Sequence, residues 1–448
     1  MIGVKLYYTK ELELRYLYTV RKSLISHGVN LTCVKTDKFK TGCMSVNLIT
    51  GLTKETASLS SLLPRVLRRG SAALPDMEQI ATALDELYGA RLEPIVRKKG
   101  ELHCIGFFAD FVDDRFLPGD DGNLEKTAAL VGDMLLRPDM QGGLLRADYV
   151  ESEKSNLIDD IRAAINDKRG YAMDRLLEEM CAGEAFGISR LGNEAQVGKI
   201  TAEALTSHYH NLIAASRIEI FYCGTAEHDR VEAALKPIFQ DLPGRGEIKT
   251  PKTEVILSPA NAEPRRFTEE LDVLQGKLTL GFRLGNAMEN PDYPALMVLN
   301  SVYGGSITSK LFLNVREKLS LCYYASSMLE KHKGVMLVTS GVEFDKFGIA
   351  LDEILAQLEN VKNGDVSEWE FLSSKRFIMT AIQSAMDRSG GLEDLYFDSS
   401  IAAVPYDPND LCNAVENVTL ERVVKLAAGI KTDSIYFLCG KGGVNNGA

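Results

Sequence analysis

Apolar and polar residues alternate in "GVNLTCVKT" and "TGCMSVNLITG", and β-branched and aromatic side chains alternate again in "GELHCIGFFADFV". A period of two over such lengths predicts β-strands with one face turned to a core. The period then changes. "DMEQIATALDELYGA" opens on an acidic first turn, repeats apolar residues at Met77, Ile80, Leu84 and Leu87, and stops at Gly89, which is the pattern of an amphipathic helix and its C-terminal end. Helical periods also run through "RADYVESEKSNLIDDIRAAIND" and "TAEALTSHYHNL", and "SRIEIFYCGTAEHDRVEAALKPIFQDLPG" reads as strand, turn, helix and proline-glycine stop.

The pattern then starts again. "GKLTLGFRLGN" takes the place that "GCMSVNLITG" holds earlier, and "DSIYFLCGKGG" echoes "SRIEIFYCGTAEH", each an apolar strand closed by Cys-Gly. Between the copies lies "RGEIKTPKTEVILSPANAEPRR", rich in Lys, Pro and Glu and poor in aromatics, which reads as a linker. The expectation is two tandem repeats of roughly 200 residues: an N-terminal domain over 1–243 and a C-terminal domain over 263–448, with a linker at about 244–262. Strands grouped with long helices, without the strict alternation of a doubly wound sheet, predict an α+β fold.

Composition narrows the function. The 448 residues are 45% hydrophobic and 25% charged, as in an ordinary soluble globular protein with more than one core. The net charge of −11 is spread along the chain, so no basic footprint for nucleic acid exists. "MIGVKLYYTKELELRYLYTV" lacks the apolar run of a signal peptide, and no stretch approaches the ~20 apolar residues of a membrane span. A cytoplasmic location follows, with no membrane partner. The eight cysteines are far apart without a CxxC pair and read as small buried hydrophobes in a reducing compartment.

"SSLLPRVLRRGS" (60–71) holds an apolar stripe of Leu62, Leu63, Val66 and Leu67 with arginines beside it and a Gly-Ser exit. Strand, small helix with Gly-Ser exit, amphipathic helix ending in "LYGA", then a paired strand: this succession resembles the N-terminal half of the insulinase (pitrilysin) metallopeptidase family. "LNSVYGGSITSKLFLNVREKLSLCYYASS" is similar to that family's C-terminal signature of Gly-Gly, Ser-(Arg/Lys)-Leu-Phe, Arg-Glu-Lys and Leu-x-Tyr. The resemblance covers nearly the whole chain. It implies two homologous domains, each a mostly antiparallel sheet covered by helices, forming a clamshell.

Active members of that family carry His-x-x-Glu-His, two zinc ligands and a general base on one helix. Aligned on the Gly-Ser exit, those roles fall on Ser61, Pro64 and Arg65. Serine is a poor zinc ligand, proline has no acid or base, and arginine places a permanent cation where a metal needs an electron pair. Proline inside a helix costs ~3 kcal/mol, so the helix is expected to start or kink near Pro64. The family's third ligand, a glutamate, aligns with Asp160, which reads equally as a solvated carboxylate of an amphipathic helix; "DDRFLPGDDGN" and "DMQGG" look like insertions before it. No metal and no cofactor are expected.

The resemblance also assigns Arg316 and Tyr323 to substrate holding. The alternative pairs Arg316 with a neighbouring carboxylate and makes Tyr323 half-buried packing. His208 and His210, in "TSHYHNLI", stand i and i+2 on a predicted helix, about 200° apart, and read as solvent-facing or capping residues. "YGGSITSKL" lacks the spacing of a phosphate loop and reads as a glycine turn, and "CGKGG" as a strand terminus and tail.

"NDKRGYAMDRLLEEMCAGEAFGISRLGNEAQVGKITAEAL" resembles a non-catalytic bacterial branch of the family, associated with 5-aminopentanol modification of elongation factor P. What the resemblance implies first is a non-catalytic, peptide-binding subunit. It would form a heterodimer with a zinc-motif-bearing paralogue, or a homodimer when isolated, and would contribute Arg316 and Tyr323 to a peptide chamber. The alternative is a non-proteolytic binding or scaffold protein in a modification pathway such as that of elongation factor P. A third reading, an active zinc peptidase with relocated ligands, rests on His208, His210 and Asp160.

Overall fold

The computed structural model describes residues 18–119, 122–249, 251–404 and 406–441. Most of the N-terminal stretch read for a signal sequence, and the tail after Lys441, lie outside the described residues.

The first half contains strands β1 (Tyr18–Ser26), β2 (Val29–Thr36), β3 (Thr41–Gly51), β4 (Arg91–Lys99), β5 (Leu102–Val112), the short pair β6 (Met140–Gln141) and β7 (Leu144–Leu145), and β8 (Arg217–Gly224). Its helices are α1 (Ala57–Leu67), α2 (Met77–Glu86), α3 (Asn123–Leu136), α4 (Ala147–Ala163), α5 (Lys168–Met180), α6 (Glu194–Val197), α7 (Ala202–Ala215) and α8 (His228–Phe239). The main sheet has the order β1-β2-β8-β3-β5-β4. Every neighbour in it is antiparallel except β2 and β8.

The second half contains β9 (Arg265–Glu270), β10 (Gly276–Arg283), β11 (Cys322–Glu330), β12 (Val335–Val342) and β13 (Lys431–Cys439) in the order β11-β12-β10-β13-β9. Around them lie α9 (Tyr293–Asn300), two π-helical turns at Ser301–Gly305 and Leu311–Lys318, α10 (Phe347–Lys362), α11 (Glu368–Met386), α12 (Ser389–Ile401), α13 (Pro408–Glu416) and α14 (Leu420–Ala428). Here β13 and β9 form the parallel pair. Read from that end, β9-β13-β10-β12-β11 superposes in order and direction on β2-β8-β3-β5-β4. The strand pairs that echo one another in sequence, β3 with β10 and β8 with β13, occupy the same places in the two sheets. The chain is an α+β protein built from two copies of one sheet.

The copies are interlocked by exchange of helices. Helix α5 of the first half lies on β10 and β13 of the second. It buries Ala172, Leu176, Leu177 and Met180 against Val335, Leu337, Tyr436 and Leu438. Gly281 makes this approach possible, because a Cβ there would stand 2.3 Å from the Met180 sulfur. Reciprocally, α12 of the second half lies on β3 and β8 of the first, with Phe397 packed against Ile49, Leu102 and Cys104. Burial at about 25 cal/mol per Å² of apolar surface makes such an interface costly to open.

The connecting segment is fastened along its length. Arg245 Nη1 donates to the carbonyls of Ile213 at 2.8 Å and Ser216 at 2.7 Å, and the Glu101 amide donates to Thr253 Oγ1 at 2.9 Å. The described residues of 244–262 form no helix or strand beyond one isolated bridge between Ser216 and Lys249.

Two local expectations are corrected. α1 does not begin at Pro64 but runs through it, with the proline one turn from the C-terminal end. There it withholds a hydrogen bond only from the Ser60 carbonyl, and the buried stripe holds the helix in place. In α2, capped by Asp76 accepting from the Gln79 amide at 2.9 Å, Ile80 and Leu84 are buried but Met77 is exposed. Gly89 ends the turn at φ +74°, as a C-terminal glycine should.

Candidate functional site

Leu62, Leu63, Val66 and Leu67 are all buried in the first core, and this fixes which way the rest of α1 points. Ser61 faces inward, fully buried, with its hydroxyl lacking a hydrogen-bond partner. Pro64 is buried beside it. Arg65 points toward α4, where its Nη2 lies 2.6 Å from Asp160 Oδ2. One turn on, Arg69 Nη1 lies 3.2 Å from Glu153 Oε1, with its guanidinium over the Tyr149 ring at 5.2 Å. Arg65, near the end of α1, and Arg69, in the turn just after it, meet carboxylates seven apart on one face of α4, so two ion pairs join this segment to α4.

Thus the residues at the zinc-motif positions neutralise one another. Asp160, the one acidic group aligned with a metal ligand, is engaged by the cation aligned with another. Among the described residues no group of three or more His, Cys, Asp or Glu side chains is arranged to hold a metal. The relocated-ligand set does not converge either. His208 turns into the core and makes a 2.9 Å hydrogen bond with Ser60 Oγ, and burial pushes its pKa down to about 4. His210 is exposed, its ring 5.1 Å from that of Tyr209. The expectation of two solvent-facing or capping histidines therefore fails for His208. The helix puts the two on different sides, and one of those sides is the core.

The second half presents a different surface. The turn Leu311–Lys318 carries Arg316, whose guanidinium stands over the Phe312 ring at 4.7 Å and 3.6 Å from Glu317 Oε1. Its side chain is 41% exposed, so this loose pairing leaves donors free. Tyr323 is 64% exposed and is not packing. It is the extra residue where the register of β11 against β12 shifts between Cys322 and Tyr324, and such a bulge re-aims a side chain. Just before it, Ser320 holds a left-handed φ of +48°, a conformation that costs a non-glycine residue energy. Arg316 and Tyr323 line one open cavity of about 360 Å³, together with Glu317, Cys322, Glu343 and Lys346. A forked cation and a phenol hydroxyl at one mouth can donate hydrogen bonds to a carbonyl or carboxylate.

Gly304 and Gly305 serve close approach more than a turn: a Cβ on Gly304 would come 2.8 Å from the Ser327 amide of β11. A larger cavity of about 680 Å³ is lined mainly by the first half, by β4, by α4 and α5 and by the 187–193 segment, with Glu330 at the end of β11 on its border. The ion pair of Arg69 with Glu153 escapes motif reading, which stops at the aligned positions. The arginines four apart at and just past the end of α1, and the carboxylates seven apart on α4, were the signal that could have found it.

The sequence profile of the "Peptidase M16 inactive domain" family matches residues 199–377. The "Probable inactive metalloprotease YmfF" of Bacillus subtilis is 34% identical over 418 residues, which is 93% of this chain and 97% of that protein. An uncharacterized zinc protease of Mycobacterium leprae is 24% identical over 68% of each chain. Among solved structures, a protein from Enterococcus faecalis V583 superposes with a TM-score of 0.84 at 28% identity, over 95% of this chain and all of that one. A peptidase M16 inactive domain from Pseudomonas fluorescens superposes with a TM-score of 0.77 at 16% identity, over 94% of this chain and 98% of that one, which speaks to fold alone.

Proposed function

From the premise that this chain belongs to the peptidase M16 family, as an inactive peptidase homologue, we propose that it is the non-catalytic, peptide-binding subunit of a zinc peptidase. A motif-bearing relative supplies the metal. This chain supplies Arg316 and Tyr323, and with them one wall of the peptide chamber. The observation that carries the reading is the contrast between the two surfaces. The aligned zinc positions are filled by a buried serine, a proline and an internal ion pair, whereas Arg316 and Tyr323 stand exposed at one cavity.

A cytoplasmic setting suits this role. All eight thiols are free, and no helix among the described residues is long and apolar enough to cross a membrane. The pathway we favour is modification of elongation factor P, on the resemblance of residues 166–205 to that branch.

The test is a quenched fluorogenic peptide offered to this chain, to a zinc-bearing relative from the same organism, and to the mixture. Cleavage that requires the mixture and falls at least tenfold with Arg316→Ala supports the reading. Stoichiometric zinc and cleavage by this chain alone overturn it. Peptide binding without cleavage by the mixture favours the non-proteolytic scaffold.

A further inference from the structure

Strand β4 is the outer strand of the first sheet, and the 680 Å³ cavity lies against its last residues. An outer strand exposes a row of main-chain donors and acceptors to which an extended peptide can add. The main-chain groups of alternate residues in a strand point to the same side. Pro94 lies in β4 opposite Phe107. Lacking an N–H, a proline in a sheet turns its nitrogen away from the paired strand, which marks the even-numbered residues as the outward ones.

The outward neighbours of Pro94 are already taken. The Leu92 carbonyl accepts from Arg68 Nε at 2.8 Å, and the Val96 carbonyl accepts from Arg190 Nη1 at 3.2 Å. At the next outward residue, Lys98 Nζ donates to the carbonyls of Phe186 at 3.0 Å and Ile188 at 3.4 Å. That holds the 186–190 segment alongside the end of the strand. Over three successive outward stations, then, one lacks a donor and two have occupied acceptors.

We propose that Arg68, Pro94 and Arg190 close the β4 edge to strand addition, so that a peptide is held by side chains at the Arg316–Tyr323 cavity and not as an added strand of the first sheet. This rests on the peptide-binding reading above. A peptide seeking the edge must displace two arginine donors and still finds no amide at position 94. The closure also prevents edge-to-edge pairing of two copies of this chain.

Calorimetric titration of the full chain tests this with a synthetic peptide of alternating threonine and valine ending in a free carboxylate. Its partner is the same peptide N-methylated at every residue, which has no main-chain donor on either edge and cannot pair as a strand. On the unmodified chain the two should bind within twofold of each other, and Arg316→Ala should weaken both. In the double variant Pro94→Val with Arg190→Ala, the unmethylated peptide should gain roughly tenfold, the worth of two main-chain hydrogen bonds. Arg190→Ala alone, at an exposed side chain that leaves folding intact, should gain about threefold. An unmodified chain that prefers the unmethylated peptide tenfold, or variants that gain nothing, overturns the closure. If neither peptide binds the unmodified chain, the Arg316–Tyr323 reading fails, and the gain in the variants still decides the state of the edge.

Discussion

Lys333 is fully buried, and its ammonium joins both halves of the chain. Nζ lies 2.6 Å from Glu101 Oε1, in the turn between β4 and β5, and 2.7 Å from Glu184 Oε2, just after α5. It also donates to the Glu254 carbonyl of the connecting segment at 2.5 Å. Lys333→Met keeps the aliphatic length and removes the charge. Glu184 retains Arg283, but Glu101 loses its ion partner in a site where neither carboxylate can reach bulk water freely. Removing one member of a buried pair costs about 3–5 kcal/mol, a large part of a typical stability of about 5–15 kcal/mol.

Urea unfolding followed by far-ultraviolet circular dichroism at pH 7 measures the loss. The pH dependence provides a second reading. Burial pushes the Glu184 carboxyl upward, but hydrogen bonds from Arg283 and Lys333 outweigh it and hold the pKa below the ordinary glutamate value. A depressed folded pKa gives stability that is present above the unfolded pKa and lost as pH falls through the folded one. With Lys333 gone the depression shrinks, so the gap between the two proteins should narrow below about pH 4. A loss under about 1 kcal/mol at neutral pH, set against the cost of a broken buried pair, would show that the network does not hold the halves together.

His103 and His208 are buried, and desolvation pushes each pKa down to about 4. Between pH 6.5 and 4 the unfolded chain therefore takes up protons that the native state refuses, and each site costs about 2 kcal/mol at pH 5 relative to pH 7. His208→Gln, which can still hydrogen-bond Ser60, should flatten the stability slope between pH 7 and 5; an unchanged slope refutes the assignment. Arg65→Ala removes a pair whose members are 22% and 53% exposed, and a melting curve should show a loss of no more than about 1 kcal/mol. Arg69→Ala should cost more than Arg65→Ala, because Glu153 is only 11% exposed and would be left as a buried lone carboxylate.

The periodic segments were legible because a single cause set them. In α4 and α7 one face is buried and sets the spacing. β3, β5 and β8 are buried on both faces over most of their length, so they read as short apolar, β-branched runs instead of the one-sided strands their alternation predicts. The internal repeat was legible for the same reason, since two sheets with one topology demand apolar strands at matching places. What escaped depends on contacts between segments distant in sequence. Neither the exchange of α5 and α12 nor the clamps on β4 leaves a periodic trace, because Arg68 and Arg190 act on carbonyls 24 and 94 residues away in sequence. At α1 the aligned residues were readable one by one, but their pairing was not. Ser61 and Pro64 each offer a metal little or nothing at the aligned positions, whereas the meeting of Arg65 with Asp160 depends on how α1 crosses α4. His208 was misplaced because the spacing of two histidines separates their directions without saying which direction is the core.

The repeat sharpens the division of labour between the halves, because β4 and β11 are the same strand of the two copies. Both are outer strands, and each follows a helical segment. In the first half that segment is α2, anchored by the buried Ile80 and Leu84, and Pro94 and two arginines cover the strand's outward side. In the second half the preceding turn is π-helical and carries an exposed Arg316, and the strand opens with a bulge that lifts Tyr323 into solvent. The backbone at Ser320 is held in a left-handed conformation to do so. Strain and exposure of large side chains are both unfavourable to folding, and burial would relieve each. Tyr88 in the first copy is likewise left-handed at φ +60° and 46% exposed, so strain and exposure alone do not separate the halves. Under the peptide-binding reading, what favours the second is that Arg316 and Tyr323 line one open cavity together.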